Sequence, residues 1–301
     1  HETGVSRIEL PSPLTRYDDR HGVESIVNTI IRHQSNLYIG TSISANILTA
    51  SPSEHLFNRI YRTKHTCWDL FSKGDHLLAA SSGGIIQIYK DSFNLIIPYI
   101  SGYVIYQSKT DSNRFFQGIS DGLNSIRNDN KRWIMEGKIN GVENEIRSIV
   151  ETNDGVLWCS YEGVYRVDFT NGYTNTPQVK RFNKEAFGLK KDLLYAYFYQ
   201  IDGLLYLYTD VGLFRVDENT NKFLPDPLFG KEFAGGGKEI QSMATDSQGN
   251  IWINSEKKIF KFQKNKKGKY VLDHKSTLAI PLMEAWTIYP ENDGVVWFGT
   301  T

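Results

Sequence analysis

The sequence predicts an all-β chain, a seven-bladed β-propeller of four-stranded antiparallel blades, closed by pairing of the N-terminal strand with the C-terminal hairpin strand. The first observation behind this is a recurring hairpin unit. In Asp154–Asp168 an Asp-Gly turn precedes Val156-Leu157-Trp158, and a second turn at Glu162-Gly163 leads into the alternating Val164-Tyr165-Arg166-Val167. The second is its period. The position of Trp158 recurs at Tyr38, Leu78, Phe116, Tyr206, Trp252 and Trp297, at spacings of 40, 38, 42, 48, 46 and 45 residues. Several strands per repeat of this length signal propeller blades, whereas helical repeats would show a 3.6 period. The third is complementarity of the ends. The chain stops at Thr301 one strand short, and Thr3-Gly4-Val5-Ser6-Arg7-Ile8-Glu9 carries the pattern of the missing strand. A circular array of this kind is expected to make residues 1–301 a single domain.

Along the chain, residues 1–22 hold the closing strand and the polar turn Arg16–Gly22. Blade one starts with Ser25–Ile31, and its later part, Ala45–Ala50, is a degenerate copy. Blade two turns at Ser81–Gly84 before Ile85–Tyr89, and blade three turns at Ser120-Asp121-Gly122. Blade four is the clearest copy. Blade five repeats it, with Ile201-Asp202-Gly203 and Thr209–Gly212 as turns, blade six turns at Asp246–Asn250, and blade seven turns at Asn292-Asp293-Gly294.

Two segments invite a sharper reading. Phe233-Ala234-Gly235-Gly236-Gly237-Lys238 resembles a phosphate cradle, but it precedes a strand rather than a helix and lacks spaced glycines, so a flexible connector is favoured. The lysines at 257, 258, 261, 264, 266, 267 and 269 are read as a solvated, protective sheet edge in preference to an anionic-glycan or nucleic-acid surface.

Lys+Arg and Asp+Glu are both 34, which provides no global field for nucleic acid or an anionic membrane. The two cysteines, Cys67 and Cys159, fall in different blades and are expected to be free thiols. No stretch approaches the ~20 apolar residues of a membrane span. The chain begins with His, which suits a processed or excised piece.

Trp297-Phe298-Gly299-Thr300, Tyr38-Ile39-Gly40-Thr41 and the Gly-Val/Leu-aromatic-Arg-Val-Asp strands resemble the two-component regulator propeller repeat. That family occurs in periplasmic sensor regions of Bacteroidetes-type hybrid two-component proteins. The resemblance implies a periplasmic domain of an inner-membrane protein, with an oligosaccharide or polysaccharide breakdown product as signal. It also implies neighbouring domains of the same sensor as partners, a histidine kinase elsewhere in the full-length protein, and a homodimer. It transfers no ligand-binding residue, because the repeat is scaffold sequence.

The residues offer no catalytic constellation, no metal-ligand set and no cofactor motif. Asp154, Asp202 and Asp293 precede glycines at equivalent turns, so they read as turn residues rather than paired catalytic carboxylates. Loop carboxylates Asp19, Glu143 and Asp192 keep a secreted carbohydrate-active lyase or hydrolase as the alternative, and a non-binding scaffold is a third reading. If the chain binds sugar, the expected surface is the face made by loops entering each inner strand and by the turn inside each middle hairpin. Arg20, His21, Arg62, His65, Tyr103, Tyr161, Lys191 and Trp286 are the candidates there, since aromatic faces stack on sugar rings and cationic groups bond hydroxyls. Tyr161 and Trp286 also read as inter-blade packing.

Overall fold

The structure, a computed structural model, describes residues 14–50, 55–60, 64–90, 92–129, 132–169 and 172–301. They form six four-stranded antiparallel blades, not the seven expected. Blade one is Val27–His33, Asn36–Thr41, Ala45–Ala50 and His55–Arg59; blade two is Cys67–Lys73, His76–Ser81, Gly84–Tyr89 and Ser92–Pro98. Blade three is Val104–Gln107, Arg114–Ile119, Gly122–Asp129 and Arg132–Lys138; blade four is Ile146–Glu151, Leu157–Tyr161, Val164–Asp168 and Gln178–Phe182. Blade five is Ala196–Ile201, Leu204–Thr209, Gly212–Asp217 and Lys222–Pro225; blade six is Ser242–Thr245, Ile251–Ser255, Lys258–Lys264 and Tyr270–Leu272.

The repeat around Trp297 is a two-stranded hairpin, Ala285–Pro290 and Val296–Thr300, and not a blade. Its stretch carries one turn, at Asn292-Asp293-Gly294, where a four-stranded blade needs three. The N-terminal strand expected to complete it, Thr3–Glu9, lies outside the described residues. The hairpin packs between the inner strands of blades six and one, and Tyr289 and Trp297 join the blade-one core of Val27, Ile30, Leu37, Ile39 and Phe57. The stretch Ala45–Ala50, read as degenerate, pairs on both sides as an ordinary third strand.

Turn chemistry explains the hairpins. Asp202 and Gly203, with φ of 53° and 78°, form a two-residue loop whose twist suits flanking antiparallel strands. Burial then follows the repeat. Trp158, 1% exposed, has Phe182, Phe198 and Phe223 at centroid distances of 5.7, 5.6 and 6.2 Å, so it joins blade four to blade five. Each such pair contributes about 0.5–1.5 kcal/mol beyond area burial.

The residue two places after the repeat aromatic faces the inner strand of the next blade. Where it is glycine the backbones touch: a Cβ on Gly118 would lie 2.2 Å from the Ile146 carbonyl oxygen, and one on Gly299 2.7 Å from that of Val27. Where it is polar it bonds the carbonyl of that strand or of the segment leading into it. Ser160 Oγ donates to the Ala196 carbonyl at 2.9 Å, and Asn254 Nδ2 to that of Met283 at 3.0 Å. The motif aromatic-x-Gly is therefore a spacing device between blades.

The triple glycine is a connector packed on the second turn of blade five. The N–H groups of Gly236 and Gly237 both donate to the Val211 carbonyl, at 2.7 and 3.1 Å, so the donors a phosphate would need are already engaged. Cys67 and Cys159 are buried free thiols, and burial pushes the pKa of both far up. No helix among the described residues is long and apolar enough to cross a membrane.

Candidate ligand-binding site

Four inner strands share one irregularity. Pairing skips a residue between Val27 and Thr29, Cys67 and Asp69, Ile146 and Ser148, and Ala285 and Thr287. Asn28, Trp68, Arg147 and Trp286 are therefore bulged residues, each near the start of its strand. A bulge interrupts the ladder and re-aims a side chain, and bulges concentrate beside functional sites.

In blades two to four these residues converge. The Arg147 guanidinium carbon lies 4.3 Å from the ring centroid of Tyr161, 4.6 Å from Tyr103 and 4.9 Å from Trp68. Trp68 and Tyr103 are 5.3 Å apart, and Tyr161 meets Tyr197 of blade five edge-on at 5.6 Å. Tyr197 in turn stacks on Tyr208 at 5.3 Å. Four blades thus surround one cation, at the edge where inner strands begin and second strands end, as the pair Ile146 and Tyr161 shows.

Glu145 forms an ion pair with Arg147, and the side chains are 14% and 26% exposed. Burial opposes the Arg147 charge, but neighbouring Tyr161 and the Glu145 carboxylate raise its pKa above the ordinary value, so the guanidinium stays charged. Burial likewise raises Tyr103, with the Glu145 charge adding to it, and Tyr197 is pushed far up by burial and by Tyr161. The Tyr103 and Tyr197 phenols are therefore neutral at physiological pH. Trp68 Nε1 is buried without a hydrogen-bond partner among the described residues. Chemically this is an aromatic wall around a self-neutralised Arg–Glu pair, suited to apolar ring faces bordered by hydroxyls.

Of the eight residues nominated from the sequence, the structure brings together Tyr103 and Tyr161. Trp286 occupies the equivalent bulge of the hairpin and is 49% exposed. Arg20 and His21 are placed elsewhere. They engage Asp18 at 2.5 and 2.9 Å, while Tyr17 packs on Phe57 and Trp297. His65 lies against Gly83 and lines a cavity of about 110 Å³ between blades one and two, with Cys67, Ser81 and Phe93. Lys191 is exposed in the loop before blade five, and Arg62 lies outside the described residues. Sequence reading missed Trp68, Glu145, Arg147 and Tyr197. The available signal was a bulky or charged residue one place into each inner strand, as in Ile146-Arg147-Ser148. No group of three or more His, Cys, Asp or Glu suited to a metal occurs among the described residues.

No protein-family model and no curated protein matches the sequence. Solved structures do. The extracellular domain of a putative hybrid two-component system from B. thetaiotaomicron superposes with a TM-score of 0.66 at 14% identity, over 92% of this chain and 37% of that one. A second such domain from the same organism gives 0.65 at 18% identity, over 92% and 38%. These neighbours share the β-propeller fold with the chain. Virginiamycin B lyase from Staphylococcus aureus shares it too, with a TM-score of 0.58 at 12% identity over 92% of both chains. The likeness to two-component sensor propellers holds at the level of the fold and not of a sequence-defined family, and the chain spans well under half of those extracellular domains.

Proposed function

We propose that this propeller is an extracytoplasmic sensor domain of a two-component signalling protein, that it binds an oligosaccharide at the Arg147 mouth, and that it performs no chemistry itself. The observation that carries the reading is the convergence of Trp68, Tyr103 and Tyr161 on Arg147. Sugar rings present apolar C–H faces to aromatic rings, and the Arg147–Glu145 pair offers donors and acceptors to hydroxyls. The fold-level likeness to extracellular domains of two-component systems supports the extracytoplasmic setting; the homodimer and the kinase in other parts of the full-length chain belong to the proposal alone.

A thermal-shift screen of the chain against oligosaccharides from plant, host and microbial polysaccharides, with recovery of every ligand that shifts the transition, tests it. A ligand present at 100 times its Kd should stabilise by about 2.7 kcal/mol, and Arg147→Ala and Tyr103→Ala should abolish the shift. A sugar recovered cleaved would transfer the assignment to a carbohydrate-active lyase or hydrolase. No shift across the panel would favour the non-binding scaffold.

A further inference from the structure

The lysines of blade six do not sit where edge protection requires them. The outermost strand is Tyr270-Val271-Leu272, which contains no lysine, and Val271 is 39% exposed. Three of the lysines, Lys266, Lys267 and Lys269, lie in the tip joining the third and fourth strands, while Lys257 and Lys258 lie at the turn on the other edge. From Lys257 to Leu272 the chain has seven lysines and no Asp or Glu, in a protein whose charges balance overall, with Lys+Arg and Asp+Glu both 34. Lys261 and Lys264 pair with Asp273 and Asp202. Lys266, Lys267 and Lys269 are exposed and have no ion pair among the described residues.

The tip is ordered. Asn265 Oδ1 accepts from the N–H groups of Lys267 and Lys269 at 2.9 and 3.1 Å, and the Asn265 N–H donates to the Lys269 carbonyl at 2.9 Å. Three exposed lysines are thereby held within four residues on one ordered turn. In blade six the inner strand begins at Ser242, paired with Asn254, whereas the tip lies beyond the Lys264 and Tyr270 pair at the opposite end of the blade. The basic tip and the Arg147 mouth therefore occupy opposite edges of the ring.

We infer that this tip docks the propeller on an anionic phospholipid surface. Lysine ammoniums are hydrated point charges without the fork that selects a single phosphate or sulfate, so they suit the diffuse charge of a bilayer surface. Val271 adds apolar area next to the charges, as at interfacial segments. The sensor mouth would then face away from the membrane, toward arriving solutes. This inference does not depend on the identity of the mouth's ligand.

The test is sedimentation of the whole chain with vesicles of phosphatidylcholine alone and of equimolar phosphatidylcholine and phosphatidylglycerol. Binding to the anionic vesicles alone is expected, weakened by salt, and reduced at least about a hundredfold in the K266E/K267E/K269E variant, given roughly a fivefold contribution per lysine. An unchanged thermal transition would show that the variant is folded, and Lys190→Glu, on the opposite edge, should bind as the parent does. Equal binding by the triple variant, absence of binding, or retention on heparin without retention on the vesicles would each overturn the inference.

Discussion

Arg32 holds Glu291 in a two-point clasp: Nε lies 2.5 Å from one carboxylate oxygen and Nη2 2.7 Å from the other, across 259 residues of chain. Glu291 also accepts from Trp297 Nε1 at 2.5 Å, and the Arg32 N–H donates to the Tyr289 hydroxyl at 3.0 Å. The clasp joins blade one to the C-terminal hairpin. Glu291→Ala should destabilise the protein by about 2–3 kcal/mol, because it leaves three N–H donors, two on Arg32 and one on Trp297, without their acceptor. The Arg32 hydrogen bond lowers the Glu291 pKa. Its contribution is therefore present above the unfolded value of 4.5 and disappears as pH falls through the lower folded value. Denaturant titrations of parent and variant should converge toward acid pH.

Asp69 has the opposite sign. Burial raises its pKa from 3.8 to about 6, despite opposing backbone donors from Ile105 and Leu70. Between those values the unfolded chain has released a proton that the folded chain retains, so stability falls as pH rises from about 4 to about 6. The span corresponds to about 3 kcal/mol. Asp69→Asn, which still presents an oxygen to the Ile105 N–H, should flatten that slope in urea unfolding measured across the window.

Blade spacing predicts unequal glycine substitutions. Gly118→Ala would drive a Cβ to 2.2 Å from the Ile146 carbonyl oxygen and should cost upward of about 2 kcal/mol, or prevent folding. Gly203→Ala meets nothing within 4 Å and has only its φ of 78° to oppose it, about 1–2 kcal/mol. Chemical denaturation of the pair checks the ranking.

Glu151, 2% exposed, accepts from Ser108 Oγ at 2.9 Å, Thr110 Oγ1 at 3.0 Å and the Lys109 N–H, tying the first turn of blade three to blade four. Glu151→Ala leaves three donors unmet and should destabilise by about 2–4 kcal/mol. Amide exchange of residues 108–111 should accelerate more than exchange in blade six.

The repeat was legible because its signals are local. Asp-Gly turns and the spaced aromatics from Tyr38 to Trp297 declare blades without reference to any partner. The blade count was overread, because the Trp297 repeat shares the hairpin signature while holding only half a blade. The mouth was half legible. Tyr103 and Tyr161 stand at loop-proximal positions that reasoning from topology reaches, but Arg147 and Trp68 owe their placement to a one-residue slip in pairing. Neither periodicity nor turn chemistry encodes such a slip. Arg20 and His21 were drawn elsewhere by Asp18, a neighbour in sequence whose carboxylate satisfies both.

The bulges let a rigid ring vary what it displays. Asn28, Trp68, Arg147 and Trp286 stand outside the ladder register, so the strand pairs on either side of each bulge do not run through the bulged residue. Trp286, half exposed at its bulge, is the position where the displayed residue can be exchanged with least disturbance to the ring, whereas Asn28 also bonds the Cys67 carbonyl of the next blade.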